Sequence, residues 1–120
     1  MVVQKKKCVF CDIGQGKNKT QAIIATSDNF FAIRTIEPVV RGHALVIPKK
    51  HFVTLLDIPN AFGDEFLKFT KTIAGSLLDD KYGDGFNIVM NNLACAGQAV
   101  MHAHLHIIPR SEGDGIHIGS

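Results

Sequence analysis

His102-Ala103-His104-Leu105-His106-Ile107-Ile108-Pro109 is the stretch on which the reading of this chain turns. On a strand, side chains alternate between faces, so His102, His104 and His106 share one face and Ala103, Leu105 and Ile107 the other. The apolar set predicts a face packed into a core. The opposite face then carries imidazoles about 6–7 Å apart, twice the rise per residue. A solvated polar stripe is the plain alternative, but imidazole is a poor choice for solubility and the usual acid/base group and metal ligand. Two chemical readings follow: a histidine-rich metal site, or nucleophilic catalysis by imidazole.

The segment leading into this strand, Asn91 to Met101, is a Gly/Ala loop with amide side chains. Small residues let backbone N–H groups approach an anion, and Asn91 and Gln98 add donors without charge. Such a loop before a histidine strand points to phosphoryl chemistry, with imidazole as nucleophile and electrostatic stabilisation of the equatorial oxygens. A plain turn is the alternative.

Further outward, Phe86 to Met90 reads as a strand. Over residues 60 to 82, Phe62, Phe66, Phe69, Ile73 and Leu77 recur at steps of three and four with Asp64, Glu65, Lys68 and Lys71 between them, which predicts one long helix. Pro59 near its start and Gly83 past its end match helix boundaries. His43 to Ile47 is a strand stopped by Pro48, and Gln21 to Ala25 with Asn29 to Ile33 form a hairpin around Thr26-Ser27-Asp28. Gly14 to Thr20 is a loop; it lacks the glycine spacing of a phosphate loop. The order β-β-β-α-β-β predicts an α+β fold, an antiparallel sheet of about five strands with one long helix. One helix leaves much of the sheet's other face for something else to cover, a second copy of the chain being one candidate.

The 120 residues, 46% hydrophobic and 20% charged, suit a single domain over 1–120, with residues 111–120 as a loose Gly-rich tail. A net charge of +2, with Lys5-Lys6-Lys7 the longest basic run, gives no footprint for nucleic acid or an anionic membrane. No apolar stretch is long enough to span a bilayer, and the N-terminus lacks the apolar region of a signal peptide. Three cysteines are too few for a disulfide scaffold, and a cytoplasmic protein is expected.

Cys8-Val9-Phe10-Cys11 is a C-x-x-C pair without the context of a redox motif. A structural zinc needs four ligands, and His51 and His102 are the candidates to complete a Cys2His2 set; inert core thiols remain the alternative. His43 starts a strand, and a core or capping ring is as good a reading of it as a functional one. His117, in the tail, carries no expectation.

Taken together, these residues resemble the histidine triad family, whose motif His-φ-His-φ-His-φ-φ is matched by residues 102–108. The likeness extends through Cys8-x-x-Cys11, Pro38, Gly42-His43-Ala44-Leu45-Val46-Ile47-Pro48-Lys49-x-His51, Asn91 and Gly97-Gln98-x-Val100-x-His102, and is nearest the small zinc-carrying Hint-type nucleotide hydrolases. The resemblance implies an α+β homodimer with one sheet extended across both copies. It implies binding of purine nucleotides and cleavage at the α-phosphate of nucleoside phosphoramidates or related mononucleotide esters, through a nucleotidyl-histidine. By position, His104 would be the nucleophile, with His106 and His43 as the other catalytic rings. Asn91, Gly97, Gln98, Ala99 and His106 would meet the phosphate and ribose, and Phe10, Thr35 and Ile36 would complete the substrate pocket. Cys8, Cys11, His51 and His102 would hold one structural zinc per chain. Two positions depart from the family: Thr35 stands where relatives usually carry an acid for the ribose hydroxyls, and Ala99 where many carry a Ser. Hydrolysis of dinucleoside polyphosphates, or a nucleotide-binding regulatory module with weak turnover, are the alternative functions.

Overall fold

A computed structural model describes residues 8–17 and 22–118, so Lys5-Lys6-Lys7, Asn18 to Gln21 and the final two residues lie outside the described part. Five strands, β1 (Ile23–Thr26), β2 (Phe30–Arg34), β3 (Ala44–Pro48), β4 (Gly85–Val89) and β5 (Leu105–Arg110), form one antiparallel sheet in the order β1-β2-β3-β5-β4. Two helices flank it, α1 (Val9–Gly14) and α2 (Gly63–Asp79). The α+β class and the five antiparallel strands match expectation; α1 is an addition to it.

Strand alternation divides the core in two. Phe30 and Ala32 of β2, Ala44 and Val46 of β3, and Leu105 and Ile107 of β5 pack against Phe69, Ile73, Ala74 and Leu77 of α2. The intervening residues Phe31, Ile33, Leu45 and Ile47 face the opposite way and are covered by Phe10 and Ile13 of α1. Both faces of β2 and β3 are therefore buried, which is why their sequences read as continuous apolar runs. Part of the uncovered face predicted from a single helix is closed from within the chain by α1. Six residues are too few for a self-supporting helix. Cys8 caps it, its Sγ accepting from the Cys11 N–H at 3.4 Å, and Ile13 anchors it at 2% exposure.

Several boundaries move. The helix expected over 60–82 begins at Gly63, because Pro59 starts a separate 3-10 turn over Asn60–Phe62. It ends before Lys81, whose φ of 62° takes the left-handed position expected of a glycine. Gly83 is required instead by close approach, since a Cβ there would lie 2.8 Å from the backbone N and O of Arg110. β5 starts at Leu105 rather than His102. In the register Leu45↔His106 and Val46↔Leu105, continuation would bring the chain to Pro48, which has no N–H to extend the ladder. Ala103 N–H donates instead to Phe52 O at 2.6 Å, and residues 102–104 cross the end of β3 as irregular chain.

After β5, one arginine gathers several partners. Arg110 forms a bidentate pair with Asp114, at 2.8 Å on each arm, donates to Asn87 Oδ1 at 2.7 Å and reaches the Ile116 carbonyl. Among the described residues no helix is long and apolar enough to cross a membrane.

Candidate functional site

Three elements converge beside the start of β5. Cys8 and Cys11 come from the first turn of α1, His51 follows β3, and His102 leads into β5. Cys8 Sγ and Cys11 Sγ lie 3.3 and 3.4 Å from His102 Nδ1, and Cys11 Sγ lies 3.3 Å from His51 Nδ1. All four ligand atoms fall within 4.8 Å of one another. A tetrahedral zinc with bonds of about 2.3 Å to sulfur and about 2.0–2.1 Å to nitrogen sets its ligand atoms about 3.3–3.8 Å apart, so the four side chains fit such an ion. His102 Nε2–H donates to the Pro48 carbonyl at 2.8 Å, which leaves Nδ1 as the lone-pair nitrogen turned toward the thiols. Burial holds His102 at about 4, keeping that nitrogen unprotonated at neutral pH.

The other imidazoles form a second group. His104 Nδ1 lies 2.8 Å from the His102 carbonyl. A carbonyl only accepts, so Nδ1 carries the proton and Nε2 the lone pair of the neutral ring. Val39 N–H donates to His43 Nδ1 at 3.1 Å, so His43 Nε2 holds a proton and donates it to His106 Nδ1 at 2.9 Å. His106 Nε2–H is thereby left as a donor. The rings of His104 and His106 stand with centroids 5.1 Å apart, as do those of His43 and His106. Burial lowers the pKa of His43 and His104, and burial followed by the neighbouring His104 and His43 rings lowers His106 to about 4. The arrangement offers one neutral nucleophilic nitrogen beside one neutral N–H donor.

The loop before His102 is built by strain and by one amide. Leu93, at φ 75° and ψ 161°, occupies a region that L-residues seldom enter, and Gly97 follows at φ 96°. Gln98, at 4% exposure, spends its carboxamide on the backbone: Oε1 accepts from Leu93 N–H at 2.6 Å, and Nε2 donates to Val53 O at 2.6 Å and Val100 O at 3.0 Å. The sequence reading expects Gln98 at the phosphate; in this structure its carboxamide meets backbone groups. Both amide protons are committed, and Gln98 joins the loop to the segment after β3. Among the described residues, the N–H groups of Ala99, Val100 and Met101 have no backbone partner.

Of the remaining predicted residues, Asn91 is half-buried and stands beside Gly97, its Nδ2 3.5 Å from where a Gly97 Cβ would be. Thr35 N–H donates to the His43 carbonyl at 3.2 Å, and Ile36 is 75% exposed. Phe10 is buried and edge-on to two histidines, with centroids 5.9 Å from His102 and 5.0 Å from His104. Sequence reasoning missed Pro48 O and Val39 N–H as the groups that set ring tautomers, because backbone atoms leave no mark on residue type.

Residues 16–113 match the HIT domain. The chain is 41% identical over 110 residues to an uncharacterised HIT-like protein of Methanocaldococcus jannaschii, covering 90% of this chain and 82% of the relative. It is 39% identical over 113 residues to an adenosine 5'-monophosphoramidase of Saccharomyces cerevisiae, covering 93% and 68% respectively. Among solved structures it is similar to a zinc-bound histidine triad family protein from Mycobacterium smegmatis, with a TM-score of 0.84, 38% identity, and coverage of 92% of this chain and 80% of that one. The residue pattern, the sheet and the match across most of the chain agree: the protein belongs to the histidine triad family.

Proposed function

We propose that the protein hydrolyses purine nucleoside phosphoramidates, or related mononucleotide esters, at the α-phosphate through attack by His104 Nε2. The observation carrying this reading is the hydrogen bond from His104 Nδ1 to the His102 carbonyl, which leaves Nε2 as the lone-pair nitrogen of a neutral ring. The Nε2–P bond forms as the bond from phosphorus to the leaving amine breaks, and the amine takes its proton from solvent. Water then attacks the same phosphorus, freeing His104 and releasing the mononucleotide and a proton. His106 Nε2–H and the N–H groups of Ala99 and its neighbours supply neutral donors to the equatorial oxygens, with Asn91 at their edge. Thr35 and Ile36 flank the nucleoside. The yeast relative, an adenosine 5'-monophosphoramidase by name, supports this substrate class.

One zinc per chain, held by Cys8, Cys11, His51 and His102, completes the reading; when bound it ties α1 to the chain entering β5 and takes no part in the phosphoryl steps. The protein acts as a homodimer. In support, β4 is an edge strand, and its Phe86 and Ile88 are exposed on the face that carries α2.

His104→Ala and His104→Asn test the reading. Both should fold, bind nucleotide and lack turnover of adenosine 5'-phosphoramidate, while the parent yields a nucleotidyl adduct on His104 detectable by mass spectrometry. Parent-like turnover in either variant would sink it.

A further inference from the structure

Two of the three thiols sit on a single turn. Cys8 is the N-cap of α1 and Cys11 its third residue, and the Cys11 N–H donates to Cys8 Sγ at 3.4 Å. The residues between them, Val9 and Phe10, are helical, and a rise of about 1.5 Å per residue on a radius of about 2.3 Å sets the two Cα atoms about 5 Å apart. A disulfide takes Cα separations of about 4.4–6.8 Å, so this turn accepts one without moving its backbone. Both sulfurs already face the same atom, His102 Nδ1, at 3.3 and 3.4 Å. Cys95, the third thiol, is exposed in the loop before His102.

The pair is within reach of solvent. Both cysteines are half-buried, and Cys11 Sγ lies 3.3 Å from Nδ1 of the exposed His51, whereas His102 is buried. The turn also has an anchor besides a metal, since Phe10 and Ile13 are 7% and 2% exposed against the sheet.

We propose that Cys8 and Cys11 are a site of reversible oxidation, closed to a disulfide by hydrogen peroxide with expulsion of the zinc. This rests on the reading of the four side chains as a zinc site. The Cys11 thiolate, on the open side, attacks one peroxide oxygen; the S–O bond forms, the O–O bond breaks, and the departing hydroxide takes a proton from solvent. The Cys8 thiolate then attacks the Cys11 sulfur; the S–S bond forms, the S–O bond breaks, and a second hydroxide leaves to become water. The two sulfurs give up two electrons, and the peroxide takes them. Thiolate, not disulfide, is the metal ligand, so only the imidazoles of His51 and His102 remain, two donors short of the tetrahedral set. Ile13 keeps α1 in place, so a thiol reductant and fresh zinc reverse the change.

The test uses the full zinc-loaded chain carrying Cys95→Ser, treated with hydrogen peroxide beside a chromogenic zinc chelator, at a concentration that oxidises free cysteine over the same time. One zinc should be released for every two thiols lost, and peptide mapping should place a disulfide between Cys8 and Cys11. Dithiothreitol with added zinc should restore both counts. Cys8→Ser on this background lacks the second thiol and should accumulate a sulfenic acid on Cys11, trapped with dimedone. If Cys8→Ser does not hold its fold, a brief peroxide pulse on the Cys95→Ser chain, trapped the same way, should label Cys11 ahead of Cys8. Zinc retained with both thiols intact overturns the proposal, and so does zinc release with the thiols driven to sulfinic acid and no disulfide. A chain isolated without zinc removes the zinc reading alone, since peptide mapping still decides whether the pair closes.

Discussion

At the scale of single residues, the site runs on neutral imidazoles. His106 sits near 4 against an ordinary 6.5, chiefly through burial, and His43 is lowered by the same cause. As pH falls below 6.5 the unfolded chain takes up these protons first, so stability is full above that value and is lost on the way down to about 4. Urea titrations between pH 7.5 and 4.5, on the order of that window, should show the midpoint falling with pH, and His106→Asn should flatten part of the slope. An equal slope in parent and variant would exclude His106 as a source. The pair also has a limit: His43 Nδ1 accepts from the Val39 amide, which cannot pass a proton onward, so the two rings form no relay to solvent through Val39. The metal set was legible from residue types, because thiol and imidazole have few other reasons to gather. The backbone partners of Gln98 were not, because an amide side chain reads the same whether it meets phosphate or backbone.

At the scale of elements, α1 carries more than its length suggests. It caps one face of β2 and β3 and brings Phe10, Cys8 and Cys11 to the site, yet its six residues depend on Ile13 for anchorage. Ile13→Ala should cost about 2–5 kcal/mol in chemical denaturation, by loss of buried methylenes and the cavity left behind, and should speed zinc loss to a chelator. A stability unchanged within error would mean that α1 is held by its ligands alone. This helix escaped the sequence reading because one turn and a half shows no periodicity. The long helix announced itself through Phe66, Phe69, Ile73 and Leu77, though its ends shifted where Pro59 and Lys81 rather than the apolar repeat set them. At the other end of the sheet, Glu65 accepts from Ser27 Oγ, Asn29 N–H and Asn29 Nδ2 at 2.6 to 2.8 Å, clamping the β1–β2 turn onto α2. Burial raises its pKa, but these hydrogen bonds outweigh it and hold the carboxyl low. Glu65→Gln should lower the melting temperature by a few degrees, roughly, without changing zinc content.

At the scale of the whole molecule, the candidate metal ligands bring together positions 94 residues apart, Cys8 and His102. Stripping zinc should therefore lower the unfolding midpoint of the entire chain in one transition rather than release a local segment, and metal analysis should return about one zinc per chain. Two separate transitions would contradict this. The proposed homodimer should give a light-scattering mass of twice 13.1 kDa, and a lysine at Phe86 on the edge strand should reduce it toward one. The order of the sheet has its own consequence. Among the described residues β5 is the last strand in sequence, lies between β3 and β4, and is the only neighbour β4 has. Folding thus cannot proceed by simple accretion from the amino end. A growing chain that has made β1 to β4 holds a three-stranded half and an orphan strand, and the sheet closes only by insertion of β5. Closure and assembly of the histidine site are then one event, so refolding followed by sheet signal and by metal uptake should share a single rate.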